Sequence, residues 1–229
     1  MRLDYFIANS ANVSRKEARR LILAARASVD GVICKKAATQ LSGSERVTLD
    51  DESMVLPGER YLMLHKPEGV VSATTDSEHP TALDLLPPDW RRNLHIAGRL
   101  DKDTTGLLLL STDGQWTHRV TSPRAECPKT YLATLAEPLP DDALSQLEKG
   151  VELRGETKLT APATVERLNE DRLRLTISEG RYHQVKRMLA AVGNRVVALH
   201  RERIGAVSLD PELVSGNYRE LSQAEIDSF

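Results

Sequence analysis

The chain has 229 residues, 40% of them hydrophobic and 28% charged, with 31 Lys/Arg set against 33 Asp/Glu. This composition belongs to a folded globular protein, long enough for one large domain or two smaller ones, and excludes a disordered or fibrous chain. No apolar run approaches the length of a membrane span, and no apolar core follows the charged N-terminus as in a signal peptide, so a cytoplasmic protein with no membrane partner is expected. Cys34 and Cys127 lack metal-ligand spacing and read as reduced, structural residues. The net charge of −2 conceals two basic islands: nine Lys/Arg against four Asp/Glu from Met1 to Arg46, and six against one from Gly180 to Arg203. Such islands can steer a phosphate backbone, although two solvated faces would read the same way.

In chain order, Leu3, Phe6 and Ile7 keep i, i+3, i+4 spacing, which predicts a short helix. Ser14-Arg15-Lys16-Glu17 has the pattern of a capping box, the serine capping the amide three residues on and the glutamate reaching back. The helix it starts puts Ala18, Leu21, Ile22 and Ala25 on a packing face. Arg15, Lys16, Arg19, Arg20 and Arg26 fall on the opposite arc as a basic stripe. Asp30-Gly31 between Val29 and Val32 predicts a tight hairpin. Lys35 and Lys36 follow, and Val47 to Leu49 closes the unit as a strand. Residues 1–50 thus form a small basic unit near the lower size limit of an independent fold. Residues 51–60, acidic, aperiodic and containing Pro57-Gly58, read as a linker.

From residue 61 onward strands outnumber helices. Tyr61 to Leu64, Val70 to Ala73, Leu107 to Leu110, Thr130 to Leu135, Thr164 to Leu168, Arg172 to Ile177 and Arg195 to Leu199 all read as strands. His65-Lys66-Pro67-Glu68-Gly69 reads as a turn. Helical signals are one turn at Ala82 to Leu86, Gln115 to Val120, Asp141 to Lys149 before Gly150, the seam Val185-Met188-Leu189-Val192, and a final helix capped by Ser222. Connections are of hairpin length, with no regular strand–helix alternation and no glycine-rich phosphate loop. The expected fold is therefore α+β, with a largely antiparallel mixed sheet over residues 61–229.

Gly98-Arg99-Leu100-Asp101-Lys102-Asp103-Thr104-Thr105-Gly106 lies between the apolar runs Leu94 to Ala97 and Leu107 to Leu110. It reads as an acidic loop held between two buried elements, where a catalytic group gains most from being fixed. Asp101 is the candidate. A nucleophilic or basic carboxylate must stay ionised, so it needs a nearby cation. Lys186, beside the apolar seam of its helix, is the best placed; Arg187 lies on the far side, suited to solvent or phosphate. An ordinary structural ion pair would look the same in sequence. Asp103 is the rival carboxylate, and two close acids could serve a glycoside hydrolase. Residues i and i+2 diverge in extended chain, however, and Asp103 with Thr104 and Thr105 reads as a local turn network. Tyr131 reads by default as a half-buried packing residue, and His183 as a capping or surface residue. His65, His95, His118 and His200 show no metal-ligand spacing.

Gly98 to Leu107 resembles the signature of the bacterial rRNA pseudouridine synthases. His65-Lys66-Pro67-Glu68-Gly69 is similar to that family's Lys-Pro-x-Gly element, and Lys129-Thr130-Tyr131 to its tyrosine element. Glu179-Gly180-Arg181-Tyr182-His183-Gln184-Val185-Lys186-Arg187-Met188 is similar to its basic element. All four stand in the family's order, in a form nearest the small-subunit enzymes. Arg2-Leu3-Asp4, Ser14 to Ala18 and Val29-Asp30-Gly31 resemble the S4-type RNA-binding domain. The resemblance implies an isomerase that flips a uridine out of small-subunit (16S) ribosomal RNA, free or in an assembly particle, and converts it to pseudouridine without metal or cofactor. It implies Asp101 as the nucleophile that starts glycosidic cleavage, attacking sugar or base. Tyr131 would stack on the base and assist the proton transfer, Lys186 would hold Asp101 ionised, and Arg99 would fill the space the base vacates. Arg15, Lys16, Arg19, Arg20 and Arg187 are the expected RNA contacts. No extra apolar stripe demands a partner, so a monomer is expected. Two other readings stay open: a non-catalytic S4-type RNA-binding or ribosome assembly protein, and a sugar hydrolase using Asp101 and Asp103.

Overall fold

The structure, a computed structural model, describes all 229 residues and divides them into two units, Met1–Glu59 and Arg60–Phe229. The first unit holds α1 (Leu3–Ser10), α2 (Arg15–Leu23), β1 (Ala27–Val29), β2 (Val32–Ile33), β3 (Val47–Leu49) and β4 (Glu52–Ser53). Its strands form an antiparallel sheet in the order β2-β1-β3-β4. Asp30 and Gly31 both take positive φ, 49° and 79°, as the two-residue turn of a type I′ hairpin requires. Leu3, Ile7, Ala18 and Ile22 pack with Val47 and Leu49 in a common core.

Three expectations need correction here. Ser14 caps the Glu17 amide at 3.1 Å, but Glu17 does not return the bond, so only half of a capping box forms. Helix α2 ends at Leu23, which takes Arg26 off its basic arc; Arg26 pairs with Asp50 instead. Irregular chain begins at Met54, not residue 51, because Asp50 and Asp51 turn at φ 52° and 67° and return Glu52–Ser53 against Leu49 and Thr48. An Asp-Asp pair can take the left-handed turn, but signals it less strongly than Asp-Gly.

Asp4 is the electrostatic pivot of this unit. Its carboxylate is buried, yet accepts hydrogen bonds from Arg2, Arg15 and Arg19 at 2.9–3.0 Å. Burial alone would raise its pKa; the three guanidinium groups outweigh that and hold it well below the usual carboxylate range. The basic stripe is therefore not uniformly solvated. Arg15 and Arg19 turn one edge inward to Asp4 while their side chains stay about half exposed, and Lys16 and Arg20 remain outward.

The second unit contains β5 (Tyr61–Lys66), β6 (His95–Ala97), β7 (Thr104–Ser111), β8 (Lys129–Leu135), β9 (Thr164–Arg167), β10 (Arg172–Ile177), β11 (Val196–Ile204), β12 (Val207–Ser208) and β13 (Tyr218–Glu220). Its helices are α3 (Gly114–Thr121), α4 (Asp141–Lys149), α5 (Gln184–Ala191) and α6 (Gln223–Ile226). One sheet runs β13-β5-β7-β11-β8-β10-β9, with β6 beside β7 and β12 beside β11. The β7–β11 pair is parallel and the others antiparallel, so the fold is α+β with a mixed, mostly antiparallel sheet. Strand β7 carries the unbroken apolar run Leu107 to Leu110 because both its faces are covered there. Leu108 and Leu110 pack with Tyr131, Leu147 and Met188, whereas Leu107 and Leu109 pack with Met63, Trp116 and Ile204.

Val70 to Ala73 is not a strand; it makes a single bridge, Val71 to Thr81. Ser72 is used instead as a clamp, its hydroxyl donating to the Leu100 carbonyl at 2.8 Å and accepting from the Leu100 amide at 3.0 Å. Strand β11 continues five residues past the expected end at Leu199. Gly106 makes that extension possible. At φ 107° a Cβ there would lie 2.3 Å from the Arg201 carbonyl oxygen and 2.6 Å from its nitrogen, so only glycine lets β7 and β11 approach this closely.

Because the folded pKa of Asp4 lies below its unfolded value, the stability it contributes is present above the unfolded value and lost as pH falls through the carboxylate range. Asp4→Asn is expected to destabilise the first unit by about 1–3 kcal/mol at pH 7. Denaturant unfolding should show the gap to wild type constant at neutral pH and narrowing only as pH falls below about 4. A gap that is constant with pH would contradict the assignment.

Candidate active site

The loop from Gly98 to Asp103 joins β6 to β7 and is fixed through its backbone. Arg201, 1% exposed on β11, donates to the carbonyls of Leu107 at 2.9 Å and Gly98 at 2.8 Å, with a longer contact to Arg99 at 3.5 Å. Lys66, fully buried at the end of β5, donates to the carbonyls of Thr104 at 2.7 Å, Pro67 at 3.0 Å and Lys102 at 3.3 Å. Burial lowers the Lys66 amine from an ordinary 10.5 to about 8, against the opposing pull of Asp103 and Asp101. With Ser72 on Leu100, the loop is pinned at both ends and in the middle. Its carboxylates are left free to face α5.

Lys186, in the first turn of α5, lies 3.1 Å from Asp101 Oδ2 and 2.6 Å from Asp103 Oδ1. Burial works against the lysine's charge, but the bonds to Asp103 and Asp101 outweigh it and raise its pKa. The Lys186 hydrogen bond is in turn the main cause that lowers Asp103. His183 Nε2 approaches Asp101 Oδ1 at 3.2 Å. Asp101 is the more enclosed carboxylate, its side chain 27% exposed against 64% for Asp103. The expected pairing of Asp101 with Lys186 is present. Asp103 is not in a local threonine network but shares the same lysine. The reason is that residues 101–104 turn, with the Thr104 amide on the Asp101 carbonyl at 3.1 Å, so the two carboxylates converge where extended chain would separate them.

His183 precedes α5 at φ 47° without capping it, and its ring is spent on Asp101 instead. The segment before it is cross-linked. Arg181 donates to Glu156, Glu179 and the carbonyls of Lys158 and Leu159, and its own amide is held by Gln184. Arg187 is tied within the protein and only partly exposed. It pairs with Glu156 at 2.6 Å and donates to the carbonyls of Tyr182 and Arg154.

Tyr131, buried on β8, receives a hydrogen bond from Arg201 Nη1 at 3.3 Å. Because that hydroxyl accepts from arginine, its own proton is free to point toward a ligand. Arg99 is exposed and lines a cleft of about 500 Å³ with Ser72, Thr74 and His118; Asp101 is not among the lining residues. A larger hollow of about 750 Å³, lined by Thr130, Thr176 and His200, lies on the other face of the sheet, since those residues alternate with Tyr131, Leu175 and Arg201. Sequence reasoning missed Arg201 altogether. A lone arginine on a strand carries no signal except membership of the second basic island.

The family described as RNA pseudouridylate synthase matches residues 60–191, and the S4 domain matches residues 1–47. Ribosomal small subunit pseudouridine synthase A of Salmonella typhimurium is 55% identical over 229 residues, covering 100% of this chain and 99% of that protein. The protein of the same name from Escherichia coli K12 is 54% identical, with the same coverage of each chain. A crystal structure of pseudouridylate synthase superposes with a TM-score of 0.73 at 45% identity, covering 100% of this chain and 99% of that one.

The lowered Lys66 pKa has a consequence for stability. Between about pH 8 and 10.5 the unfolded state holds more protons than the folded one, so the folded state gains relative stability as pH rises through that window. Lys66→Met should flatten this rise while disordering the loop from Lys102 to Thr104. Denaturant midpoints from pH 7 to 10.5 test it; a variant whose midpoint rises as steeply as wild type would contradict the account.

Proposed function

The chain belongs to the RNA pseudouridylate synthase family, and from that membership we propose that it converts a uridine of small-subunit (16S) ribosomal RNA to pseudouridine, with Asp101 as the nucleophile. The observation that carries the catalytic assignment is the position of Lys186 Nζ, 3.1 Å from Asp101 and 2.6 Å from Asp103. The small-subunit assignment rests on relatives of that name, 46–55% identical over almost their whole length. The S4 domain ahead of the catalytic unit supports RNA as the substrate. We propose that it works in the cytoplasm, where ribosomal RNA is made, and as a monomer, a reading supported by one chain carrying every group invoked.

The uridine leaves its stack, because the reacting atoms are out of reach inside it. Asp101 attacks the sugar or the base, forming a bond to it, and the bond from N1 to C1′ breaks. The uracil, kept in the pocket, turns to offer C5, a bond from C5 to C1′ forms, and the bond to Asp101 breaks to return the free carboxylate. C5 loses its proton and N1 ends protonated, so the product has the mass of the substrate. Lys186 keeps Asp101 ionised and aimed; the shared lysine also removes the repulsion that Asp103 would exert. Tyr131 stacks on the uracil and presents its hydroxyl to the migrating proton, with Arg201 fixing which way that hydroxyl points. Arg99, at the rim of its cleft, fills the gap left in the RNA. Lys16 and Arg20, with the outward edges of Arg15 and Arg19, meet phosphates; Arg187 serves to brace the Tyr182 segment.

Asp101→Asn is expected to bind RNA as wild type does and to lose pseudouridine formation by about 1000-fold or more. Asp103→Asn should lose much less. Tritium release from transcripts labelled at uridine C5 measures both, and the reverse ranking would reassign the nucleophile. RNA affinity should fall steeply with salt, because phosphate contacts release counterions. An affinity indifferent to salt would argue against the basic groups named here.

A further inference from the structure

We propose that Tyr182 is a stacking platform for a base of the RNA strand that neighbours the extruded uridine. The proposal rests on the functional reading above and adds a nucleobase-binding position to it. Tyr182 is 76% exposed, yet it sits in one of the most heavily cross-linked segments of the catalytic unit. Its ring lies flat on that of His183, centroids 3.8 Å apart and planes 19° from parallel. His183 in turn reaches Asp101 at 3.2 Å. A short ladder therefore runs from the reacting carboxylate through imidazole to phenol. The outer face of the phenol is open to solvent.

The ladder is built rather than incidental. His183 holds a left-handed backbone conformation that is costly for any residue with a Cβ. The bonds of Arg181 on one side, and the bond from Arg187 to the Tyr182 carbonyl on the other, hold the segment in it. Relaxed backbone would swing both rings off the loop. A rigid, exposed aromatic face loses little freedom when a flat ligand covers it. Every base has a π-face, so stacking of this kind tolerates sequence while fixing where the strand lies. The position one ring beyond the group that holds Asp101 favours a base of the substrate strand over a side chain of a protein partner.

The test uses the full chain and a small-subunit rRNA transcript free of protein. Tyr182→Ala should raise KM by about 5–150-fold, the range expected for losing one stacked base, with kcat changed far less; Tyr182→Phe should restore KM. In a second measurement Tyr182→Trp, corrected for Trp90 and Trp116 with the wild-type spectrum, should lose emission on oligouridylate and keep it on an abasic strand of equal length. Unchanged KM in Tyr182→Ala, an equal KM rise in the Ala and Phe variants, or equal quenching by the abasic strand would each overturn the proposal. So would a defect confined to the protein-bearing assembly particle, which assigns the surface to a protein. A wild-type chain that forms no pseudouridine would instead overturn the functional reading itself.

Discussion

Lys186 stands between two carboxylates that are two residues apart, and the catalytic unit is arranged to keep that triad in place. Two carboxylates so close repel each other unless a cation is shared, and desolvation makes the shared cation more necessary. The lysine comes from the first turn of α5, whose apolar side packs Val185, Met188 and Leu189 into the core, so its direction is set by packing. The carboxylates come from a loop that cannot drift, because Arg201 and Lys66 hold its carbonyls from beneath. Lys66 spends its donors on backbone oxygens, and Arg201 divides its own between backbone oxygens and the Tyr131 hydroxyl. They lend a positive field to the loop without taking its carboxylates as partners.

This division of labour explains several residues that chemistry alone would leave unmotivated. Gly106 is required by the close passage of β7 under β11, and that passage is what brings the Arg201 side chain under the loop. Ser72 sits in a segment with almost no ladder bonds, and its hydroxyl replaces them by clamping Leu100. In the first unit the same logic recurs on a smaller scale. Asp4 is buried because three arginines satisfy it, and those arginines are thereby held at defined positions on the surface of α1 and α2. A basic face ordered in this way loses less side-chain freedom when it meets phosphate than one of unattached lysines.

Much of the architecture was legible in the sequence. The run Leu107 to Leu110 marks the strand buried on both faces, Asp30-Gly31 the β1–β2 hairpin of the first unit, and Gly150 the end of α4. The failures share a cause: polar residues that bond to backbone leave no periodic trace. Val70 to Ala73 has strand-forming composition, yet the Ser72 bonds to Leu100 bend it away. His200, Arg201 and Glu202 broke the hydrophobic pattern of β11 and hid its length. Within the site, helical position points to Lys186 as the partner of Asp101, and the two lie 3.1 Å apart. Asp103 escapes a sequence reading because the turn at residues 101–104 brings together carboxylates that extended chain separates. The ties of Arg187 escape it because Glu156, its partner, lies 31 positions away on an irregular stretch, and no local pattern reports such a contact.

The account depends on the charge of Lys186 at the carboxylates, so removing that charge at constant fold tests it most directly. Pseudouridine formation by Lys186→Met and Lys186→Arg, each checked for native unfolding behaviour and RNA affinity, is the measurement. The account predicts that Lys186→Met loses about 100-fold or more in kcat, as expected when a group that stabilises the reacting charge is removed, and that Lys186→Arg recovers part of it. A folded, RNA-binding Lys186→Met chain that turns over at the wild-type rate would contradict it.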